Sequence, residues 1–344
     1  MTKVAVALSG GVDSAVVASL LLSQGYEVVG ITGLMTNSDD FKTVANNAKK
    51  VADTLGIEHF VVDVTRDFEQ YVTKYFEDSY KNGYTPNPCI MCNKYIKWGK
   101  LFEYALEVLN ADYIATGHYA NIKNEGGVYK LYPASDEHKD QLYFLFSLNQ
   151  KMLSKTLFPL AGYKKSEVKA IAEKCNLPPK SAKESQDICF IKAPMTTKKY
   201  LNNLFDIQKG NFVEKSTGKI LGQHEGFWQY TIGQRKGIGI AAPQPLYVVE
   251  INAETNTVFV GYKEELYSKK LILKNIEWSY PIFEKELEVL VKIRYNMGFA
   301  KALVKTSDVG YIVEFESPIS AITLGQACVF YDIKDGHLLG GGFI

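Results

Sequence analysis

The segment ALSGGVDSAV, at residues 7–16, restricts the fold of this chain more than any other feature. It follows a short apolar run from Val4 to Leu8, which is typical of a buried strand, and it opens a helical pattern that reaches Leu22. In a strand–loop–helix turn of this kind, free backbone N–H groups and the positive end of the helix converge where an anion can bind. The segment therefore predicts an α/β fold with a phosphate site at the end of its first strand.

The polar residues of this segment narrow the type of phosphate site. Gly10 and Gly11 allow the backbone to approach a ligand closely, while Ser9, Asp13 and Ser14 add hydroxyl groups and a carboxylate suited to Mg²⁺ or to capping the helix. The pattern differs from the GxxxxGK[ST] of P-loop ATPases and from the GxGxxG of dinucleotide-binding folds. An ordinary strand-to-helix turn is the alternative, but six specified positions in this context favour a nucleotide site.

The first 120 residues repeat the alternation of strand and helix. Strand patterns at Glu27–Thr32, Phe60–Val64 and Tyr113–Thr116 are separated by helical spacing, and one of the intervening helices is expected to open at Asn93. A further amphipathic helix is expected at about 164–176. This order predicts a parallel, doubly wound sheet whose ligand site lies at the carboxyl ends of the strands.

The pattern changes near residue 195 to short strands and polar loops. From about residue 270 the runs LEVLVKIRY, YIVEFE and ACVFYDI alternate or are β-branched, and Asp335–Gly336 is a hairpin signal. We therefore expect three domains: an α/β catalytic domain at 1–195, a small central domain at 196–266 and a C-terminal β-barrel at 267–344.

Two cysteines at CxxC spacing, Cys89 and Cys92, lie in a proline-rich turn before the predicted helix. Asn93 is a good helix cap, so a thiol at Cys92 would lie at the positive end of that helix and close to Lys94. Both influences favour the thiolate form. The sequence thus predicts an activated thiol at Cys92.

The other three cysteines lie far from this pair. Cys189 follows the polar triplet Ser-Gln-Asp at residues 185–187, which is more typical of a site than of a core. Cys175 lies on the apolar face of a predicted helix and Cys328 in an apolar strand, so both are expected to pack in the core. An odd number of scattered cysteines does not predict a disulfide framework, which leaves free thiols, metal ligands or catalysts.

Composition and charge set wider limits. No stretch approaches the roughly 18 apolar residues of a membrane span, and the N-terminus is too short and too glycine-rich for a signal peptide, so we expect a cytoplasmic protein without a membrane. The formal charge of +1 leaves nucleic-acid binding undecided, because affinity depends on where the positive charges lie.

Eight segments in order resemble one family over nearly the whole chain. They are ALSGGVDS, PNPxxxCNxxIKxG, ATGHYA, KDQxYFL, ICFI, TIGQRKGIGI, GQACVFY and LGGGFI. The chain is similar to the tRNA-specific 2-thiouridylases of the MnmA type, within the PP-loop ATP pyrophosphatase superfamily. The resemblance implies an adenine nucleotide alpha-hydrolase-like first domain that uses ATP and Mg²⁺ to adenylate the wobble uridine at C2, followed by persulfide transfer that gives 2-thiouridine, AMP and pyrophosphate.

The resemblance also implies roles for individual residues. Cys189 would carry the persulfide, and Cys92 would attack it to release sulfur, forming a transient disulfide. The ATP site would comprise Ala7, Leu8, Ser9, Gly10, Gly11, Val12, Asp13, Ser14, Met35 and Gly117. The target base would meet Asn87, Pro88 and Cys89, and the rest of the tRNA would meet His118, Lys139, Asp140, Gln141, Arg294, Tyr295 and Gln326.

The implied partners are the anticodon stem-loop of tRNA and an upstream protein that donates persulfide sulfur; the enzyme itself is expected to be a monomer. Some of the implied contacts have simpler interpretations. His118 could cap a strand end, residues 139–141 could be a solvated charge run, and Arg294–Tyr295 could be a cross-strand pair. Arg235–Lys236 is interpreted as facing phosphate.

Three other functions fit parts of the sequence. Cys89, Cys92 and Cys189 together could hold an iron–sulfur cluster with one open iron site, which would deliver sulfide without a persulfide. A different PP-loop enzyme acting on a small metabolite would not need Cys92 and Cys189. A tRNA-binding protein without catalysis would need only the β-rich domains.

Overall fold

A computed structural model describes residues 1–178, 188–282 and 284–344. Its first part is a parallel sheet with helices on both faces and one inserted hairpin. The strands of this part are β1 Lys3–Ala7, β2 Glu27–Leu34, β3 His59–Asp63, β4 Tyr113–Ala115, β5 Asn121–Glu125, β6 Val128–Tyr132 and β7 Thr156–Leu157. Its α-helices are α1 Val12–Ser23, α2 Asp39–Leu55, α3 Thr65–Phe68, α4 Lys74–Lys81, α5 Pro88–Met91, α6 Gln150–Leu153 and α7 Lys165–Lys174. Segments of π-helix at Glu69–Thr73, Cys92–Leu101 and Tyr104–Val108 extend these helices.

The parallel sheet has the strand order β3-β2-β1-β4-β7. Strand β1 is apolar and fully buried at Val4, Ala5 and Val6, because helices cover both faces of the sheet. The chain leaves β1 toward β2 on one side, and β4 pairs on the other side. The loops after β1 and β4 therefore flank a topological switch point, where α/β folds bind ligands.

The central part is a four-stranded sheet preceded by one helix. It comprises α8 Thr197–Leu204, β8 Gly210–Glu214, β9 Ile220–His224, β10 Tyr247–Asn252 and β11 Thr257–Gly261 in the order β10-β11-β8-β9. Its apolar core includes Phe76 of α4, so it packs directly against the first part.

The last part is a seven-stranded antiparallel sheet in the order β12-β16-β15-β14-β17-β18-β13. Its strands are β12 Tyr267–Leu273, β13 Glu277–Trp278, β14 Glu286–Lys292, β15 Ala300–Ser307, β16 Gly310–Ser320, β17 Ala327–Asp332 and β18 Leu338–Phe343. The predicted hairpin turn joins β17 to β18, with Gly336 at a φ of 72°. The predicted parallel α/β sheet and all-β C-terminal part are confirmed.

Within the described ranges, no helix has the length and apolar character needed to cross a bilayer. Buried apolar contacts join the three parts of the chain. Ala327 and Val329 of β17 belong to the same apolar cluster as Ile31 and Trp98 of the first part. The C-terminal sheet thus packs on the α/β domain as part of a common core.

Tyr143 joins these two domains through its hydroxyl group. The hydroxyl donates to the backbone O of Ala327 at 2.9 Å and accepts from the backbone N of Ala327 at 3.2 Å, at a ring that is 2% exposed. Tyr143→Phe leaves both backbone groups of Ala327 buried without this partner, so we expect it to lower the free energy of unfolding by about 2 kcal/mol. Chemical denaturation measures the loss.

Tyr84→Phe is the matched control, because the Tyr84 ring is 42% exposed. We expect it to change the free energy of unfolding by less than about 0.5 kcal/mol. Equal losses in the two variants would contradict the role given to the Tyr143 hydroxyl.

Candidate active site

The phosphate loop, residues 7–14, has the close backbone packing that its glycines allow. Gly10 has a φ of 69°, and a Cβ there would lie 2.8 Å from the backbone O of Val44. The Ser14 hydroxyl accepts from the Ser9 backbone N at 3.1 Å and donates to the Gly11 backbone O at 3.2 Å. These bonds hold the loop around the start of α1.

The strand β4 ends against this loop. A Cβ at Gly117 would lie 3.0 Å from the Cβ of Asp13 and 3.1 Å from the backbone N of Ser14. A side chain at Gly117 would crowd this approach, so the loops after β1 and β4 meet at the switch point. The ATP residues implied at 7–14 and at Gly117 are therefore adjacent, and Met35, at the end of β2, packs against the core beside them.

Asp13 does not cap α1, whose N-cap is Gly11, a residue without a side chain to accept a capping hydrogen bond. Its carboxylate instead pairs with Lys165 of α7, with Nζ 2.6 Å from each oxygen, and Oδ1 accepts from the Tyr119 hydroxyl at 3.0 Å. The capping role that the sequence offered for Asp13 is wrong. The sequence gives no signal for the partner lysine, which is 152 residues away.

The helix that carries Cys92 begins earlier than the sequence predicted. Asn87 is its N-cap, with Oδ1 accepting from the backbone N of Cys89 at 3.2 Å, and Pro88 occupies its first position. The prediction that Asn93 opens the helix is wrong, because the Asn93 side chain is buried and donates to the backbone O of Phe144 at 2.9 Å. Cys89 thus lies at the positive end of the helix, and Cys92 lies one turn inside it.

Cys92 is consequently not the activated thiol that the sequence predicted. It is 8% exposed, and burial raises its pKa to about 11, against a weaker opposite effect of Lys97. Lys94 does not contribute this charge, since it forms an ion pair with Glu277 of the C-terminal sheet. At neutral pH the Cys92 side chain is a thiol.

Cys189 lies close to this pair despite its distance in sequence. Burial raises the pKa of Cys189 to about 12, and the charges that next affect it are those of Cys92, Cys89 and Lys97. Cys189 and Cys89 each keep part of their surface in solvent, although surrounding protein raises the pKa of both thiols. The neighbouring Phe190 packs against the core cluster that contains Cys92. Three thiols therefore share one region around one ammonium group; Ser185, Gln186 and Asp187 lie outside the described residues.

All five cysteines are free thiols. Cys89, Cys92 and Cys189 do not form a group with all sulfur atoms within 4.8 Å of one another; among the described residues only Asp332, Asp335 and His337 form such a group. Cys328 is fully buried, as predicted. Cys175 is exposed, contrary to the prediction of core packing, because it caps the end of α7 and accepts from the Ser19 hydroxyl at 3.7 Å.

Lys97 connects the thiols to the phosphate loop. Its Nζ lies 3.2 Å from Nε2 of His118, and Nδ1 of His118 lies 2.8 Å from the hydroxyl of Thr116. Burial, followed by the charge of Lys97, lowers the pKa of His118 well below its usual value. The imidazole is therefore neutral, with Nε2 accepting from the ammonium and Nδ1 donating to Thr116.

The other residues implied in tRNA contacts make protein contacts as well. Gln141 exchanges hydrogen bonds with the backbone of Tyr119, both at 3.0 Å. Burial raises the pKa of Asp140 to about 6, and its carboxylate accepts from the backbone N of Leu142 at 3.2 Å. Lys139 is partly exposed beside them.

Arg294, Tyr295 and Gln326 lie where the domains meet. The Arg294 guanidinium donates to the backbone O of Ala321, to the Thr323 hydroxyl at 2.7 Å and to the backbone O of Ile232 in the central domain at 3.4 Å. Tyr295 packs on Phe144 with ring centroids 4.6 Å apart. Gln326 donates to the backbone O of Thr85 at 2.7 Å, just before the cysteine helix.

Arg235 and Lys236 are exposed in the central domain, as a phosphate-facing role requires. Arg235 lies on the rim of an open groove of about 370 Å³ formed by the loop at 235–246. The sequence missed Lys97, Lys165 and Tyr119, although Lys97 lies inside the quoted motif PNPxxxCNxxIKxG.

Three family models match the chain in succession. They are described as a tRNA methyl transferase HUP domain at residues 2–193, a tRNA methyl transferase PRC-barrel domain at 198–262 and an aminomethyltransferase beta-barrel domain at 268–344. A protein named tRNA-specific 2-thiouridylase MnmA from Carboxydothermus hydrogenoformans is 44% identical over 360 residues, which cover 99% of this chain and 97% of the relative. The protein of the same name from Lachnoclostridium phytofermentans is 42% identical over 363 residues, which cover 100% and 99%.

Among solved structures, the U34-tRNA thiolase NcsA from Methanococcus maripaludis, with its [4Fe-4S] cluster, matches 60% of this chain and 64% of its own. The sequence identity is 22% and the TM-score is 0.37, a likeness too low to carry any inference about chemistry.

Proposed function

Because this chain belongs to the family of tRNA-specific 2-thiouridylases, we propose that it replaces the C2 oxygen of the wobble uridine in the tRNA anticodon with sulfur, using ATP as the activating reagent. The observation that carries the proposal is the continuity of the site. Gly117 lies against the phosphate loop, and the next residue, His118, accepts a hydrogen bond from Lys97. The charge of Lys97 in turn acts on the three thiols. Activation by ATP and delivery of sulfur can therefore take place in one region of the protein.

The first step uses the phosphate loop. The C2 oxygen of uridine attacks the α-phosphate of ATP, and pyrophosphate leaves, so that the oxygen becomes part of a good leaving group. The N–H groups at the start of α1 bind the phosphates. Asp13 has the hard oxygen ligands that Mg²⁺ prefers, and the ion would supply positive charge to the triphosphate.

The second step uses the cysteines. A donor protein delivers sulfur to Cys189 as a persulfide, and its terminal sulfur attacks C2 and displaces AMP. Cys92 then attacks the Cys189 sulfur, which forms a Cys92–Cys189 disulfide and leaves 2-thiouridine on the tRNA. A cellular thiol reduces the disulfide before the next turnover. A buried, protonated Cys92 suits this order, because it does not attack the persulfide prematurely.

The implied contacts complete the proposal. The cofactors are ATP and Mg²⁺, the domain limits lie at 195 and 266, and the enzyme acts as a cytoplasmic monomer. Asn87, Pro88 and Cys89 meet the target base, and His118, Lys139, Asp140, Gln141, Arg294, Tyr295 and Gln326 support the tRNA. Arg294 and Gln326 act by holding the loops beside the cysteine helix.

The raised pKa of Cys92 predicts how its reactivity depends on pH. Only the thiolate reacts, and below a pKa of about 11 its fraction grows with pH. We expect alkylation of Cys92 by iodoacetamide, followed by peptide mass spectrometry, to accelerate about tenfold per pH unit between pH 7 and 9 without a plateau. Lys97→Met removes a positive charge that lowers the pKa of Cys92, so it should make the alkylation slower than in the wild type at each pH.

Lys94→Met is the control for this experiment, because Lys94 pairs with Glu277. It should leave alkylation of Cys92 unchanged. A plateau near neutral pH, or an equal effect of the two lysine substitutions, would contradict the assignment.

Nucleoside mass spectrometry tests the function itself. Unmodified tRNA, ATP, Mg²⁺ and a sulfur source should yield 2-thiouridine with the wild-type protein. Two of the family models carry the words methyl transferase, and with S-adenosylmethionine added as a methyl donor the same spectrum distinguishes a methyl group from exchange of oxygen for sulfur. A methylated uridine, or no change, would overturn the proposal.

An iron–sulfur cluster on Cys89, Cys92 and Cys189 is the second candidate mechanism, since all three thiols lie in one region. Anaerobic purification with iron, followed by iron and absorbance assays, separates the two mechanisms. A colourless, iron-free and active protein supports the persulfide. Activity that requires bound iron supports the cluster.

A further inference from the structure

Lys165 of α7 places a basic side chain beside the phosphate loop, whose residues 7–14 include no lysine or arginine. Its Nζ binds both oxygens of Asp13 at 2.6 Å, and its side chain is 13% exposed. Its backbone N donates to Asp136 Oδ2 at 2.9 Å, which fixes the first turn of α7 at this place. The ammonium is therefore held beside the loop.

Asp13 lies on the first turn of α1, where the free N–H groups would bind the phosphates. A carboxylate in that position repels a triphosphate, and the repulsion is strong where protein excludes water. Lys165 neutralises this charge, and Tyr119 stabilises it with a hydrogen bond of 3.0 Å. The charge of the loop is thus balanced by a cation that is not part of the motif.

Lysine has a flexible stem and three donors, so its ammonium can turn from Asp13 toward a phosphate while α7 stays in place. Ion pairs with phosphate are charge-assisted and stronger than neutral hydrogen bonds. When the triphosphate enters, Lys165 has an anion to bind, and Asp13 becomes available to Mg²⁺. We propose that Lys165, which pairs with Asp13, is an ATP-binding residue whose ammonium binds the pyrophosphate portion of ATP.

This inference rests on the proposed use of ATP, and competition binding separates the two. Labelled ATP is bound to the protein without tRNA and displaced with ATP, pyrophosphate or AMP. We expect Lys165→Met to weaken the binding of ATP and of pyrophosphate at least about tenfold, because a charge-assisted contact is lost. The affinity for AMP should change less than about twofold. Lys165→Arg should recover most of the loss.

Lys169→Met is the matched control, since Lys169 lies exposed on the same helix. It should match the wild type for all three competitors. If Lys165→Met binds all three competitors as Lys169→Met does, the inference is wrong. It is also wrong if Lys165→Met weakens the binding of AMP as much as that of ATP, because that result would indicate a distorted loop. A wild-type protein that fails to bind ATP would instead overturn the proposed function.

Discussion

Replacing Cys189 with serine will abolish 2-thiouridine formation, while release of pyrophosphate from ATP in the presence of tRNA stays within about threefold of wild type. Serine cannot carry a persulfide, so sulfur transfer should fall by about a thousandfold or more. Adenylation uses the phosphate loop, residues 7–14, and Cys189 is not part of that loop. Nucleoside mass spectrometry and a pyrophosphate assay measure the two steps separately.

Cys175→Ser is the control for this substitution. Cys175 is also exposed, and a serine can keep the hydrogen bond from Ser19. It should retain both activities. Thiolation by Cys189→Ser at a rate near that of wild type would remove Cys189 from the mechanism and favour a different PP-loop chemistry.

Gly10→Ala should have a similarly large effect on the ATP-dependent step. The added Cβ would lie 2.8 Å from the Val44 backbone O and 3.0 Å from the Asn47 Cβ, and the φ of 69° is unfavourable for alanine. The loop must shift away from α2, and displacement of a binding loop by about 1 Å costs about a hundredfold in rate. We expect pyrophosphate release to fall by that factor.

Gly25→Ala provides the comparison, because it separates backbone strain from the clash. Gly25 follows the C-cap of α1, the helix that the phosphate loop precedes, and has a φ of 85°. A Cβ there would meet nothing within 4 Å. Both substitutions should lower the free energy of unfolding, Gly25→Ala by about 1 kcal/mol, but only Gly10→Ala should lose pyrophosphate release. Equal activity in the two variants would mean that the loop does not bind ATP.

The sequence predicted those features that depend on local order. Strand β1, the two glycines and α1 follow each other directly, so their pattern was sufficient to place a phosphate loop and a parallel sheet. The start of the cysteine helix could also have been predicted, since Asn87 and Pro88 are typical of the N-cap and the first helical position. Their interpretation as a turn placed the predicted N-cap at Asn93, six residues too late, and gave Cys92 an activation that it lacks.

The features that the sequence could not predict arise from tertiary packing. The pKa of Cys92 is raised by its burial in a core that includes strands of the C-terminal domain. The pair of Asp13 and Lys165 exists because α7 lies beside α1, and the Arg294 guanidinium turns inward because loops from two domains meet there. Residue type alone indicates none of these partners.

We infer that Cys92 and Cys189 together deliver one sulfur atom to ATP-activated uridine. Peptide mass spectrometry after a single turnover, with alkylation of remaining thiols, tests it most directly. We predict a Cys92–Cys189 disulfide in proportion to the 2-thiouridine formed, and none when ATP or tRNA is omitted. Formation of 2-thiouridine with both cysteines recovered as thiols would contradict the account.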